Sequence, residues 1–264
     1  MYLPVSNQCI GPDIYKRTVY KREKTRYTVY KMLNGDIINM KISRYIDHAV
    51  LKPGLTREEI AAAVKLGVEL DVYSVCMHPR DVKLASELCR GTNTHVGSVV
   101  DFPHGAGGAE AKRAIAQFAL SQGAEELDMV MNYSAARSGD WATVADEIKA
   151  VVDEGHARGA IVKVIFETSE LTEEQIRRGV DVCIENGADF VKTSTGFSSS
   201  GATVEGVAAM LDQAKGRIKV KASGGIRDYA GAKKFVDMGV ERLGIGYSGS
   251  RAVCTGEGEN KDNY

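Results

Sequence analysis

Short apolar runs alternate with longer amphipathic stretches from residue 42 onward. Runs of four to eight residues rich in β-branched and aromatic side chains are typical of buried strands, and apolar residues at helical spacing are typical of the helices that cover them. The predicted strands are Tyr45–Leu51, Tyr73–Met77, His95–Phe102, Glu126–Met131, Ile161–Phe166, Phe190–Ser194, Ile218–Ser223 and Arg242–Gly246. The predicted helices are Thr56–Glu69, Arg80–Leu88, Ala109–Gln122, Trp141–Ala157, Thr172–Asn186, Thr203–Lys215 and Asp228–Met238.

Signals at the helix ends support this division. Thr56 and Glu59 have the spacing of a capping box, and Gly123, Gly187 and Gly239 follow three of the helices. Eight strands that alternate with helices predict a single (β/α)₈ barrel. A doubly wound sheet is the alternative, but no GxGxxG motif follows the first strand.

The two ends of the chain differ from the region between them. We assign residues 1–40 to an N-terminal extension, 41–250 to the barrel and 251–264 to a flexible, polar C-terminal tail. The extension holds five of the eleven tyrosines and a cluster of lysines and arginines, and Thr18–Tyr20 and Tyr27–Tyr30 have the alternation of short strands. A polyanion-binding arm would use such residues. We favour a tail or a packing arm between subunits, because charge runs are usually solvated.

Composition narrows the function classes. The formal net charge is -1, so we expect no nucleic-acid partner, and no apolar run is long enough for a membrane span. The N-terminus does not have the pattern of a secretory signal. The five cysteines are scattered without a CxxC pair, which favours a reducing, cytoplasmic setting.

Ionisable residues interrupt strands that should be apolar. Lys192 and Lys221 stand near the carboxyl ends of the sixth and seventh strands, where functional residues of this fold lie. A second ammonium group and burial both lower the pKa of a lysine, and a neutral amine attacks a carbonyl to form a Schiff base. A nearby carboxylate then moves protons. A lysine that merely reaches solvent is the structural alternative. The interrupting residues are Asp47, Asp128, Lys163, Lys192, Lys219 and Lys221.

Glycine-rich turns follow the last three strands. They read Thr193-Ser194-Thr195-Gly196, then Ser223-Gly224-Gly225, then Gly244-Ile245-Gly246-Tyr247-Ser248. Each alone is an ordinary turn that needs a positive φ. Three of them beside two lysines indicate a phosphorylated substrate, because phosphate binds after the last strands of this fold.

Seven stretches then identify a family. They are YIDHAVLKP from Tyr45, SVCMHP from Ser74, DFPHG from Asp101, EELDMVMN from Glu125, KVIFET from Lys163, GADFVKTSTGF from Gly187 and VKASGGIR from Val220. In this order, over residues 43 to 250, they resemble deoxyribose-phosphate aldolase. The resemblance implies a (β/α)₈ fold, no cofactor, no metal and reversible cleavage of 2-deoxy-D-ribose 5-phosphate to acetaldehyde and D-glyceraldehyde 3-phosphate. It also implies a homo-oligomer, a dimer or a tetramer.

The resemblance assigns roles to particular residues. Lys192 matches the Schiff-base lysine, Lys221 the lysine that keeps it neutral, and Asp128 the carboxylate of the proton relay. Asp47 matches an acidic residue that pairs with Lys221. The matching substrate and phosphate positions are Thr193, Gly196, Gly224, Gly225, Gly244 and Ser248. Tyr264 is a possible proton relay, because some members of the family also end in tyrosine; an incidental terminal tyrosine is the competing interpretation.

The chain also departs from the family. Asp101 stands where glycine is usual and Ala49 where threonine is frequent, and the loop after the eighth strand differs by about a residue. A Schiff-base aldolase or lyase for a related phosphorylated sugar is therefore the alternative function. A zinc-dependent aldolase is disfavoured because the five histidines show no HxH or HxxxH pair. A binding protein on an inactive barrel is disfavoured because Lys192, Lys221 and Asp128 are all present.

Overall fold

The chain folds into a closed barrel of eight parallel strands surrounded by helices. The computed structural model describes residues 18–23, 26–33 and 36–256, with side chains from residue 41 onward. The barrel strands are β4 (Ile46–Val50), β5 (Ser74–Met77), β6 (His95–Val100), β7 (Glu126–Val130), β8 (Ile161–Ile165), β9 (Phe190–Lys192), β10 (Lys219–Ser223) and β11 (Arg242–Gly246). Each pairs with the next along the chain, and β11 closes the barrel onto β4. The predicted (β/α)₈ fold is confirmed.

Helices connect successive strands and cover the outside of the barrel. They are α1 (Arg57–Glu69), α2 (Val82–Cys89), α3 (Gly108–Ser121), α4 (Tyr133–Arg137), α5 (Trp141–His156), α6 (Glu173–Glu185), α7 (Val204–Ala214), α8 (Tyr229–Met238) and α9 (Ser250–Thr255). The predicted capping box is present, since the Thr56 hydroxyl accepts the Glu59 amide and the Glu59 carboxylate accepts the Thr56 amide. Gly123 and Gly239 adopt the left-handed conformation that ends a helix.

A three-stranded antiparallel sheet precedes the barrel. Its strands are β1 (Thr18–Glu23), β2 (Arg26–Leu33) and β3 (Asp36–Lys41), in that order. Both predicted short strands lie within it and are longer than the alternation indicated. The sequence analysis did not predict β3. The basic and tyrosine side chains of the extension, on which the choice between a packing arm and a polyanion-binding arm depends, lie outside the described residues.

Two short helices were also missed. α4 begins where the Asn132 side chain accepts the Ala135 amide at 3.0 Å, and it is too short for periodicity to show. α9 (Ser250–Thr255) includes the first five residues of the segment 251–264 that we assigned to the C-terminal tail. Residues 257–264, and with them Tyr264, lie outside the described residues.

Apolar residues fill the space between the strands and the helices. The outward-facing valines, such as Val75, Val162 and Val220, are fully buried against the helices, which contributes roughly 1.5–3 kcal/mol for each such side chain. No helix in the part of the chain that the structure describes is long and apolar enough to cross a membrane. The inside of the barrel has a different composition, and the candidate site lies there.

Candidate active site

Seven charged side chains point into the barrel and are buried together. None exposes more than 5% of its surface, although ionised groups are buried only when paired. The parallel strand register determines their positions along the barrel axis, because Lys221 lies opposite both Lys192 and Arg242 on the neighbouring strands. This interior charge cluster consists of Asp47, Glu126, Asp128, Lys163, Lys192, Lys221 and Arg242.

Asp128 is the centre of the cluster. Its Oδ2 accepts hydrogen bonds from Lys192 Nζ at 2.9 Å and from Lys221 Nζ at 2.7 Å. Its Oδ1 accepts from Lys163 Nζ at 2.8 Å. The two lysines predicted from the sequence therefore share one carboxylate oxygen, and their ammonium groups are close neighbours.

A deeper layer of charge supports these three residues. Lys163 also bonds Glu126 at 2.7 Å, and Arg242 bonds Asp47 at 2.9 Å and Glu126 at 3.1 Å. Asp47 pairs with Lys221, as predicted. The sequence analysis did not assign site roles to Lys163, Glu126 and Arg242. Glu126 lies on β7, Lys163 on β8 and Arg242 on β11. The available signal was the period of two along a strand, which places alternate side chains on the same face.

The lysines of β10 separate into two environments. Lys221 is buried in the cluster, whereas Lys219, two residues earlier, is exposed with its Nζ 5.2 Å from the centre of the Phe190 ring. Only Lys221 therefore faces the site, although both residues are on the same face of the strand.

The cluster shifts the pKa values of its members. Burial alone would raise the pKa of Asp128 and of Asp47, but the surrounding lysines hold the pKa of both carboxyls well below the usual range. Burial lowers the pKa of Lys192, yet the Asp128 carboxylate outweighs it, so the pKa lies above the ordinary lysine value. The sequence-based expectation of a lowered Lys192 pKa is not met in this arrangement, because the direct bond to Asp128 was not foreseeable.

The cluster holds more cations than anions. Three carboxylates face four cationic side chains when every member is ionised. Unbalanced charge in a low-dielectric interior is costly. Loss of one proton from any of the three lysines leaves three carboxylates with three cations. Lys192 contacts one carboxylate of the cluster, whereas Lys221 contacts two and Lys163 three, so a neutral Lys192 gives up the fewest ion pairs.

Glycines from two loops meet above the lysines. Gly196, Gly224 and Gly225 all have positive φ, and a Cβ on Gly224 would lie 3.5 Å from the Gly196 Cα. Gly201 lies so close to the backbone of Gly224 that a Cβ on Gly201 would be 2.2 Å from the Gly224 carbonyl oxygen. A Cβ on Gly225 would meet nothing within 4 Å. The position beside Gly225 is therefore open, and backbone N–H groups of glycine loops suit an anion.

Three other predicted contacts lie elsewhere. Thr193 is fully buried, and its hydroxyl donates to the Ser223 carbonyl and accepts the Ser223 amide, both at 3.0 Å, so it ties the two loops together. Gly244 lies within β11, where a Cβ would be 2.6 Å from the Ser223 Cβ and 3.3 Å from the Lys221 Cε, so it makes room for Lys221. Ser248 lies in the turn before α9.

The opposite side of the mouth is apolar. A small buried group lies on β4, β5 and β6, and Phe102 packs against it. It consists of Ala49, Leu51 (the residue after β4), Cys76 and Val99. The Phe102 ring meets Phe197 edge-on, with ring centroids 5.3 Å apart. Burial raises the pKa of Cys76 to about 12, so it stays a thiol. We call Ala49, Leu51, Cys76, Val99 and Phe102 the apolar rim.

Asp101 explains one departure from the family. Its φ is 52°, in the left-handed region that favours glycine. Its carboxylate accepts the Gly107 amide at 2.8 Å and Lys112 Nζ at 2.6 Å. Lys112, fully buried, also pairs with Glu147 at 2.7 Å. The aspartate therefore fixes the loop after β6, and its charge is already paired.

The histidines do not form a metal site. His48 is buried between Ser250 and the Ala63 carbonyl, and burial lowers its pKa to about 4. Across the described residues, no group of three or more histidine, cysteine, aspartate or glutamate side chains is placed to hold a metal ion.

A closed parallel barrel with buried lysines and a carboxylate near the carboxyl ends of its strands is the architecture of a (β/α)₈-barrel enzyme. The model of the DeoC/LacD family of aldolases matches residues 41–256. The chain belongs to this family, and it is an enzyme of the carbon–carbon lyase class.

Relatives with this architecture cover most of the chain. A deoxyribose-phosphate aldolase from Exiguobacterium sp. is 42% identical over 224 residues, which span 84% of this chain and 100% of the relative. One from Aquifex aeolicus is 45% identical over 203 residues, 77% of this chain and 91% of the relative. Two solved structures are similar: an aldolase called QR15, with a TM-score of 0.76, 43% identity and coverage of 80% of this chain and 93% of that chain, and a tetrameric deoxyribose phosphate aldolase from Aeropyrum pernix, with a TM-score of 0.74, 31% identity and coverage of 81% and 88%.

Proposed function

We propose that this enzyme cleaves 2-deoxy-D-ribose 5-phosphate reversibly through a Schiff base on Lys192. The observation that carries the proposal is the single Asp128 oxygen that both Lys192 and Lys221 contact. These contacts join two lysine side chains and one carboxylate in one hydrogen-bonded group, which supports roles for them as nucleophile, second cation and proton acceptor. The names of the relatives support the substrate.

The first step frees the amine. Asp128 accepts the Lys192 proton through their existing hydrogen bond and passes it to solvent, which leaves the cluster with three carboxylates and three cations. The neutral amine adds to the C1 aldehyde of the open-chain sugar to give a carbinolamine. Its hydroxyl takes up a proton, directly or through water from Asp128, and leaves as water, which gives an iminium ion. Lys221 and Lys163 remain protonated beside the amine, and their charges oppose its reprotonation.

Bond cleavage follows from the iminium. The C3 hydroxyl loses its proton, the C2–C3 bond breaks, and its electron pair moves into an enamine that ends at the Lys192 nitrogen. D-glyceraldehyde 3-phosphate leaves. Protonation of the enamine at C2 and hydrolysis of the resulting iminium release acetaldehyde and the free amine. Asp128, in contact with the amine, is placed to move these protons directly or through water.

The two sides of the mouth suit the two ends of the substrate. The paired glycine loops supply N–H groups for the phosphate. The apolar rim includes Cys76, whose neutral thiol lies near Lys192, and its apolar side chains offer no strong hydrogen-bond partner to a 2-hydroxyl. A buried hydroxyl without a partner costs about 1–3 kcal/mol, so the rim favours a 2-deoxy sugar over ribose 5-phosphate.

The assembly and location follow the same proposal. We propose a homo-oligomer in the cytoplasm. The tetrameric state of the similar Aeropyrum pernix aldolase supports the first. The buried thiols of Cys76, Cys89 and Cys183 support a reducing compartment.

Borohydride trapping tests the covalent step. Incubation with acetaldehyde and borohydride is expected to add a reduced two-carbon adduct to Lys192, and peptide mass mapping reads the position. EDTA is expected to leave turnover unchanged. An adduct on another lysine would contradict the assignment, and faster cleavage of ribose 5-phosphate than of deoxyribose 5-phosphate would favour the alternative of a related phosphorylated sugar.

A matched pair of glycine variants tests the phosphate site. Gly225→Ala is expected to raise KM for deoxyribose 5-phosphate about tenfold and to leave KM for unphosphorylated 2-deoxyribose nearly unchanged, because the new methyl group enters the open space above the loop. Gly216→Ala is the control, since Gly216 also has a φ of 74° and an unobstructed Cβ position. Both variants carry a similar backbone strain of about 1 kcal/mol. Equal KM effects on the two sugars would show that Gly225 serves the backbone alone.

A further inference from the structure

Glu167 is a buried carboxylate at the mouth that belongs to no part of the interior charge cluster. It follows β8 and exposes only 2% of its surface. Its Oε2 accepts a hydrogen bond from the Thr195 hydroxyl. Its Oε1 is buried and has no hydrogen-bond partner among the residues that the structure describes. Such an atom in a native protein calls for an explanation.

The backbone of Glu167 is held in an unfavourable conformation. Its φ is 45° and its ψ is 68°, which is the left-handed region, rarely adopted by residues other than glycine. The neighbouring amides fix it there, because Phe166 N–H donates to the Lys192 carbonyl and Thr168 N–H to the Thr193 carbonyl, both at 2.9 Å. Strain of this kind concentrates at functional sites.

The position of Glu167 relates it to both ends of the proposed substrate. It lies beside the segment from Lys192 to Gly196, which joins the amine to the glycine loops. The Thr195 hydroxyl donates to Glu167 and also accepts a hydrogen bond from the Phe197 amide at 3.0 Å. The Glu167 side chain therefore contacts the loop directly before Gly196. Burial raises the pKa of Glu167, and the Thr195 hydrogen bonds and the Lys192 charge offset this only in part.

We propose that Glu167 is a specificity-determining residue that accepts a hydrogen bond from the substrate hydroxyl next to the phosphate-bearing carbon. In deoxyribose 5-phosphate this is the C4 hydroxyl, which becomes the C2 hydroxyl of D-glyceraldehyde 3-phosphate. The inference rests on the proposed function, which attaches C1 to Lys192 and places the phosphate at the glycine loops. The C4 hydroxyl then lies between these ends, on the side of Thr195 and Gly196.

The chemistry of the free oxygen selects a hydroxyl. A carboxylate repels a phosphate dianion, whereas a hydroxyl supplies the donor that Oε1 lacks and leaves the bond to Thr195 intact. A hydrogen bond to a charged acceptor accounts for about tenfold to a hundredfold in binding. An acceptor aldehyde without this hydroxyl should lose that advantage.

Condensation with acetaldehyde tests the assignment. Two acceptors are compared by kcat/KM: D-glyceraldehyde 3-phosphate, and 3-oxopropyl phosphate, which lacks only the hydroxyl. Wild-type enzyme is expected to prefer the hydroxylated acceptor by about tenfold to a hundredfold. Glu167→Gln is expected to lower kcat/KM for that acceptor by about tenfold or more and to change the other by less than about twofold.

Glu170→Gln is the matched control. Glu170 lies on the same loop, where it accepts the Ser198 hydroxyl at 3.1 Å and pairs with Arg137 at 3.2 Å, and its variant should keep the wild-type preference. Equal kcat/KM for both acceptors with wild-type enzyme would overturn the inference without any variant, as would an equal fall for both acceptors in Glu167→Gln. Borohydride trapping by acetaldehyde separates the two proposals: its failure in the wild type refutes the Schiff-base function, whereas trapping without acceptor preference refutes only the role of Glu167.

Discussion

Asp128→Asn is expected to lower turnover by about 10²–10⁴-fold while Schiff-base formation on Lys192 persists and extends to lower pH. Asp128 is the one carboxylate in contact with Lys192 among the described residues, and its charge is what raises the pKa of that amine. Without it, burial and the nearby cation of Lys163 lower the pKa, so more of the amine is neutral at pH 6 to 7. Proton transfer is lost with the carboxylate, which typically costs about 10²–10⁴-fold in rate.

Two measurements separate these effects. The rate of borohydride trapping by acetaldehyde is followed from pH 5 to 9, and kcat for cleavage is measured over the same range. Lys163 and Lys221 keep Glu126 and Asp47 as partners in the variant. Removal of a buried ion-pair partner still costs about 3–5 kcal/mol, so thermal unfolding must show a folded protein at the assay temperature. Asp153→Asn, at an exposed i,i+4 pair with Lys149, is the control. A trapping profile shifted to higher pH would contradict this account.

The alternation of strands and helices could be predicted because each element carries its own local signal. The eight barrel strands were predicted within a few residues, since each is a short apolar run bounded by turn residues. α4 and α9 were missed because five or six residues do not complete two helical turns. β9 ends at Lys192, two residues earlier than predicted, although Thr193 and Ser194 still bond to Ser223, the last residue of β10.

The composition of the candidate site could be predicted only in part. Charged residues in barrel strands identify the ends of β7, β9 and β10 as unusual, and the fold then brings them together. Which oxygen contacts which lysine depends on side-chain length and on the register between several strands. The register cannot be read from the sequence of one strand. The sequence analysis therefore placed Asp128 in the site but missed that it binds Lys192 directly and raises the pKa of that amine.

Glu167 and Thr193 both show that a motif in the sequence does not reveal the contacts of a side chain. Thr193 stands in the KTSTGF motif, yet its hydroxyl ties two loops together. Glu167 stands in KVIFET, one of the motifs of the resemblance, but its left-handed backbone and unpartnered oxygen are properties of the folded chain alone. A motif indicates that a residue type is needed at a position, and the structure is required to show what its atoms contact.

Lys221→Met is expected to shift the pKa of Lys192 in the direction opposite to Asp128→Asn. Lys221 shares the Asp128 oxygen with Lys192. Its loss removes one nearby cation and leaves that oxygen to Lys192 alone, and both changes raise the pKa of the amine. The neutral fraction of Lys192 at pH 7 falls, so activity should fall by orders of magnitude, and what remains should increase about tenfold per pH unit on the acid side of the new pKa.

Lys219→Met is the matched control for this variant. Lys219 is on the same strand and the same face, two residues earlier, but it is exposed and its nitrogen lies over the Phe190 ring, so its loss should leave the pH profile unchanged. Asp47 keeps Arg242 as a partner when Lys221 is removed, which limits the structural damage. A near-wild-type rate at pH 7 in Lys221→Met would contradict the charge argument. A fall in rate that is equal at every pH would show that Lys221 acts through contact with the substrate instead of through the protonation of Lys192.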